Sequence, residues 1–277
     1  MVDISIYQYH NDLYTVPLPT YGKILVVGND EAYAVLDAYA TWKITTASDT
    51  NGTVALVLGL ESIFLGLLYA KHVAERPAMC SAFDNITPLV TAVPPTKGTV
   101  AHLSSIAGAT AYSASARHDY RSIATKIDAQ LYNDVYDCWF ELATAVKSAT
   151  GANHTFSPQP VSRELALAGK ARGGNALGIP EEGHLWWTTL IDWENEADDD
   201  TVRNVSIATT ETWKELAEQR WLLITYVYIN DTLGDQNPMA TYGEANIKKL
   251  KDVARRYDPD QVFLTRSSRP SSMMAPL

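Results

Sequence analysis

Eight short stretches of β-branched, aromatic and aliphatic residues most constrain what this 277-residue chain can fold into. They fall at Ile4 to Tyr9, Lys23 to Val27, Val54 to Leu60, Ile63 to Tyr69, Tyr120 to Ile127, Thr155 to Gln159, Leu185 to Trp193 and Leu223 to Asn230. Several alternate or are continuously apolar, which suits a sheet covered on both faces. Helices are predicted at Glu31 to Trp42, Gln130 to Ser148, Asp200 to Glu218 and Glu244 to Arg256. Strands and helices that do not alternate strictly predict an α+β fold, a large antiparallel sheet backed by helices. Residues 1–265 read as one domain, and the polar tail at 266–277 as disordered. The stretch VPPTKGT, Val93 to Thr99, reads as a loop because two prolines and a glycine leave little else.

The last predicted helix carries one apolar stripe, Ile247, Leu250, Val253 and Ala254, opposite Lys248, Lys249, Lys251, Arg255 and Arg256. Pro259 stops it. Such a stripe needs something to pack against.

Composition narrows the classes. Apolar residues at 46% and charged ones at 19% indicate a globular chain. A net charge of −10 disfavours nucleic acid and anionic membranes as partners. The acidic run Asp192 to Asp200 reads as a solvated loop, since a metal site wants ligands from separate elements. Cys80 and Cys138 read as free thiols. The six histidines lack metal-like spacing, so no metal is expected. No apolar run reaches the roughly 20 residues of a membrane span, and the start shows no signal-peptide pattern. A cytoplasmic location is the expectation. The sequence has no GxSxG and no glycine-rich phosphate cradle.

Several stretches occur together and in order. They are VPPTKGT, LYNDVYDCW (Leu131 to Trp139), KARGGNALGI (Lys170 to Ile179), Trp186-Trp187 and YINDTLGDQN (Tyr228 to Asn237). Tyr242-Gly243, Leu250, Tyr257-Asp258-Pro259 and Val262-Phe263 follow. Together they resemble the berberine bridge enzyme-like FAD-linked oxidases in their fungal branch. The resemblance implies a fold of two halves. One domain binds FAD, usually tethered through a His and often a Cys. The second, an antiparallel sheet backed by helices, covers the isoalloxazine and holds the substrate, and the C-terminal helix returns to the flavin domain. MVDISIYQYHNDLYT resembles the first strand of the second domain. The expectation is therefore a substrate domain without its flavin domain, binding no FAD and using no other cofactor.

Candidate site residues follow from side-chain parity and from the resemblance. Read as a strand, TYVYIND points Val227 and Ile229 one way and Tyr226, Tyr228 and Asn230 the other. The family has Tyr-x-Asn-Tyr here, near the flavin; Tyr228 and Asn230 match it, while Asp231 replaces the second Tyr. Parity also puts Ser157 and Gln159 opposite Phe156. The resemblance places Asn175 and Trp187 near the substrate. His118-Asp119-Tyr120-Arg121 reads first as a solvated loop, with a proton donor and an anion clamp at the sheet edge as the alternative.

The catalytic candidates are thus Tyr228 and Asn230. The substrate-binding candidates are Gln159, Asn175, Trp187, Tyr226, Tyr120 and Arg121. Two functions fit. One is a flavin-free, redox-neutral cyclase or isomerase, including a pericyclic step, acting on a hydrophobic polyketide- or terpenoid-like small molecule. The other is a substrate-binding fragment or partner subunit of an FAD-dependent oxidoreductase. A homodimer over the surface that a flavin domain would cover is expected as well.

Overall fold

The computed structural model describes residues 20–71, 73–98, 117–232 and 235–262. The strand expected at Ile4 to Tyr9 and the tail at 266–277 lie outside them. Four strands, β1 (Thr20–Val27), β2 (Gly52–Leu58), β3 (Ile63–Tyr69) and β4 (Pro88–Gly98), form an antiparallel sheet in the order β2-β3-β1-β4. A second antiparallel sheet runs β6-β8-β5-β9 from β5 (Arg117–Thr125), β6 (Asn153–His154), β8 (His184–Trp193) and β9 (Leu223–Ile224). Strand β7 (Ser157–Val161) also pairs with β8. The expected large sheet is therefore built in two pieces. They are stitched at one point, where Leu58 N donates to Phe156 O at 2.9 Å and Phe156 N to Leu58 O at 2.8 Å.

Helices α1 (Ala32–Thr45) and α2 (Ala129–Thr150) lie on one side of this surface, with α4 (Asp199–Gln219) beside α2; α3 (Arg163–Ala171) and α5 (Glu244–Tyr257) complete the set. Helix α2 starts where Asp128 accepts from Leu131 N at 2.7 Å and ends at left-handed Gly151. Its buried stripe, Leu131, Tyr132, Val135, Tyr136, Trp139 and Ala143, follows the helical period. Phe156 lies at the centre of the shared core. Its ring stacks on Trp213 of α4 at 5.4 Å and meets Trp139 and Trp187, each at 5.5 Å.

Three local expectations are corrected. VPPTKGT is not a loop; all but its last residue belongs to β4. Among the described residues strand β4 pairs only with β1, so Pro94 and Pro95 sit on an edge of that sheet and in a register shift, where a missing N–H is tolerated. The strand expected at Leu223 to Asn230 stops at Ile224. Beyond Ala124 the edge of β5 is already occupied, because the Gln236 amide accepts from Ser122 N at 3.0 Å and donates to Ser122 O at 2.6 Å. The chain then turns into a 3-10 segment at Ile229–Asp231. Helix α3 was not expected; the Ser162 hydroxyl, which accepts from Leu165 N at 3.1 Å, is its local signal.

The stripe of α5 has its partner. Ile247 and Leu250 pack on a second apolar cluster of Ala124, Val161, Trp186, Ile224, Tyr226 and Tyr242, on the sheet face away from α4. Leu177 and Ile179 cover the same cluster. Between them Gly178 has φ 65°, and a Cβ there would lie 2.4 Å from Tyr242 O. Gly178→Ala should therefore destabilise the protein by at least about 1–2 kcal/mol, the cost of the left-handed backbone alone. Denaturant unfolding that left stability unchanged would show that this segment is not seated on Tyr242.

Candidate functional site

The face of the second sheet away from α4 gathers the chemistry. Antiparallel register sets Trp186 opposite Ala124 and Gln159, and Trp187 opposite Ile123 and Pro158. Adjacent residues of a strand point to opposite faces, so Trp186 turns outward and Trp187 inward. The Trp186 ring lies between two tyrosines, Tyr228 at 4.3 Å and Tyr226 at 5.6 Å, both nearly parallel to it. Tyr242 continues the stack at 5.7 Å from Tyr226. This is an aromatic pile whose half-buried outer member is Tyr228.

Polar groups surround it. Asn230 Nδ2 donates to the Tyr228 hydroxyl at 2.7 Å, and Gln159 Nε2 donates to Asp231 Oδ2 at 3.1 Å. Burial pushes the Asp231 carboxyl above the usual carboxylate range. Burial, and then the neighbouring Asp231, push the Tyr228 hydroxyl upward too. His184 is buried beside Trp186 and Tyr226; its Nδ1 lies 2.7 Å from Glu182 O, and burial lowers its pKa. Trp186 Nε1, His184 Nε2, Ser122 Oγ and Thr188 Oγ1 are buried with no hydrogen-bond partner among the described residues. Such groups are costly unless something satisfies them.

The candidate residues divide accordingly. Tyr226, Tyr228, Asn230 and Gln159 come together around Trp186. Parity did not bring Tyr226 and Tyr228 there, since the segment is not a strand; an irregular turn does so. Tyr120 is exposed on β5, and His118 of the same strand and face lies against Asp192. The strand expected from Tyr120 thus starts earlier, at Arg117, and takes in His118 and Asp119, which were expected in a solvated loop. Arg121 points the other way, towards α4, where its Nε donates to Thr210 Oγ1 at 2.6 Å and its guanidinium pairs with Asp235. It still meets Tyr226 in a groove of about 480 Å³ along the free edge of β9, lined also by Thr210, Thr225, Gln236 and Thr241.

Two candidates sit elsewhere. Trp187 is fully buried in the helix-side core, 5.2 Å from Trp213. Asn175 is exposed and caps a turn, accepting from Leu177 N at 2.9 Å. Sequence reasoning did not select Trp186, Asp231 or His184 as site residues. The register of β8 against β7 selects the first, and the departure from Tyr-x-Asn-Tyr already marked the second.

FAD fits these residues only in part. A stacked aromatic face suits one side of a planar ring system. Among the described residues no α-helix start offers the diphosphate a matching cradle, because each of the five α-helices has a carboxylate at its cap or in its first turn. These are Glu31 for α1, Asp128 for α2, Glu164 for α3, Asp199 and Asp200 for α4, and Glu244 for α5. The described residues also hold no cluster of metal-ligating side chains, and none of their helices is long and apolar enough to cross a membrane.

Comparison with known proteins agrees with the fold. No protein-family model matches the chain. An FAD-dependent monooxygenase of Arthrobotrys oligospora is 26% identical over 245 residues, 88% of this chain and 47% of that protein. The FAD-dependent monooxygenase macF of Penicillium terrestre is 27% identical over 232 residues, 83% of this chain and 44% of that protein. The bifunctional solanapyrone synthase of Alternaria solani is 23% identical over 244 residues, 87% of this chain and 46% of that protein.

Among solved structures, aclacinomycin oxidoreductase superposes with a TM-score of 0.64 at 14% identity, covering 90% of this chain and 55% of that one. Berberine bridge enzyme-like 1 of Physcomitrella patens gives 0.64 at 10% identity, with 89% and 53% covered. The chain spans about half the length of the curated relatives it matches. In sequence it is a relative of fungal FAD-dependent monooxygenases, and in fold it is that of the berberine bridge enzyme-like FAD-linked oxidases its motifs resemble.

Proposed function

We propose that this chain is a flavin-free, redox-neutral enzyme that holds a hydrophobic, conjugated polyketide- or terpenoid-like molecule against the Tyr228–Trp186–Tyr226 stack. The observation that carries this reading is the stack itself, rimmed by amide, carboxyl and hydroxyl groups. A conjugated ligand gains from offset stacking, and fixed donors at the rim polarise one carbonyl. Positioning of this kind suits a cyclisation, an isomerisation or a pericyclic step, where orientation supplies much of the barrier lowering. One relative is named a bifunctional synthase, which supports the idea that this fold serves more than one activity.

Absorption spectroscopy of the purified chain, followed by incubation with a linear polyene precursor, tests this. A colourless protein that yields an isomer of identical mass is the expected result. Flavin absorption, or oxygen consumption with substrate and no added partner, overturns it in favour of the second reading. That reading makes the chain the substrate-holding part of an FAD-dependent oxidoreductase, and the half-length match to FAD-dependent monooxygenases favours it.

Self-association belongs to the same proposal. Val253 and Tyr257 extend the stripe of α5 but are 54% and 71% exposed. A two-fold dimer that covers them is expected. Light scattering that gives a monomer mass at tens of micromolar (about the range where such interfaces should hold) counts against it.

A further inference from the structure

We propose that Asp231 is the proton-transfer group of this site, taking a proton from carbon next to a ligand carbonyl and returning it at another carbon. The proposal rests on the stack as a ligand-holding surface and adds the group that acts there. The Gln159 amide donates to Oδ2 of Asp231, and that hydrogen bond reaches across from β7, where Gln159 stands opposite Trp186. Asp231 N in turn donates to Tyr228 O at 3.1 Å, so the turn fixes the backbone of Asp231 beside the outer ring of the stack while Gln159 holds its carboxyl.

The surroundings suit a base that must also act as an acid. Among the described residues no Lys, Arg or His pairs with Asp231, and Tyr228 is the titratable side chain that faces it. Burial pushes its carboxyl pKa upward, which makes it a better proton acceptor than an exposed aspartate. The step balances without a redox partner. Asp231 carboxylate takes H⁺ as a C–H bond breaks, and the electron pair moves onto the carbonyl as an enolate. The Tyr228 hydroxyl, already accepting from Asn230, can donate its own hydrogen to that oxygen. The protonated Asp231 then returns H⁺ to carbon, so substrate and product are isomers.

The test uses 2-tetralone, a flat aromatic ketone with exchangeable C–H bonds beside its carbonyl. Its deuterium uptake in D₂O is followed by NMR, with saturation transfer as a separate measure of binding. Wild type should accelerate uptake at least tenfold over Asp231→Asn, with equal binding and with a rate that follows the Asp231 titration. Equal uptake by the two proteins overturns the proposal.

Carboxyl titration observed by ¹³C NMR supplies the second arm. A folded pKa above the unfolded value contributes stability at low pH that is lost as pH rises through the folded value. Asp231→Asn should therefore melt higher than wild type at pH 7, and the gap should close in acid. If wild type does not bind tetralone, the stack reading fails, and this arm then decides the role of Asp231. An Asp231 that titrates in the ordinary carboxylate range, with no pH-dependent gap in melting, overturns the proposal.

Discussion

Phe156→Ala should cost about 3–5 kcal/mol of folding free energy, the range for removing a fully buried aromatic ring. The ring touches Tyr136 and Trp139 of α2, Trp213 of α4 and Trp187 of β8, so the cavity would open where both helices meet the sheet. Those neighbours are large and fixed by one another, which leaves little room for the site to collapse. A loss of this size is a substantial part of what keeps an ordinary domain folded. Trp221, 86% exposed, is the control; its replacement by Ala should stay within about 0.5 kcal/mol. Urea unfolding of both variants decides it, and a Phe156 variant as stable as wild type would refute the packing described.

Tyr228→Phe and Asn230→Ala should act in the opposite way, with little change in melting temperature and a loss of about 10²–10³ in turnover. The hydroxyl and the amide hydrogen-bond to each other at the exposed rim rather than to the core, so removing one leaves no buried group unpaired. A donor aimed at developing negative charge contributes mainly in the transition state, so kcat should fall more than KM rises. The measurement is isomer formation from the linear precursor, with thermal melts alongside. Variants that unfold readily would make these residues structural supports.

Much of the fold was legible because its signals are local. Strands such as Ile63–Tyr69 and Leu185–Trp193 are written in β-branched and aromatic runs, and α2 in its period. What failed to read out depends on distant partners. Pro94 and Pro95 announce a loop until β1 supplies an edge for them. Tyr226 and Tyr228 look like strand residues until Gln236, from further along the chain, occupies the backbone they would have paired with. Trp186 and Trp187 are identical in type and adjacent, and only the register of β8 says which one faces outward. The site was therefore half visible. Its tyrosine, asparagine and glutamine were recognisable, while the ring they surround was taken to be its neighbour.

The helix-side core has a consequence for how the chain is made. Among the described residues, strands β1 to β4 pair with one another except at the Leu58–Phe156 bridge, yet α1 shares its core with α2 and other elements synthesised later. The Tyr39 hydroxyl of α1 donates to Pro158 O at 3.2 Å, across a sequence separation of 119 residues. Until α2 and β7 have left the ribosome, the side of α1 that meets them has no cover, and an intermediate that ends before them exposes apolar surface. Nascent chains halted before residue 128 should be cut rapidly by protease at α1. Chains released after β7 should resist, and equal resistance at both lengths would show that the first sheet matures unaided.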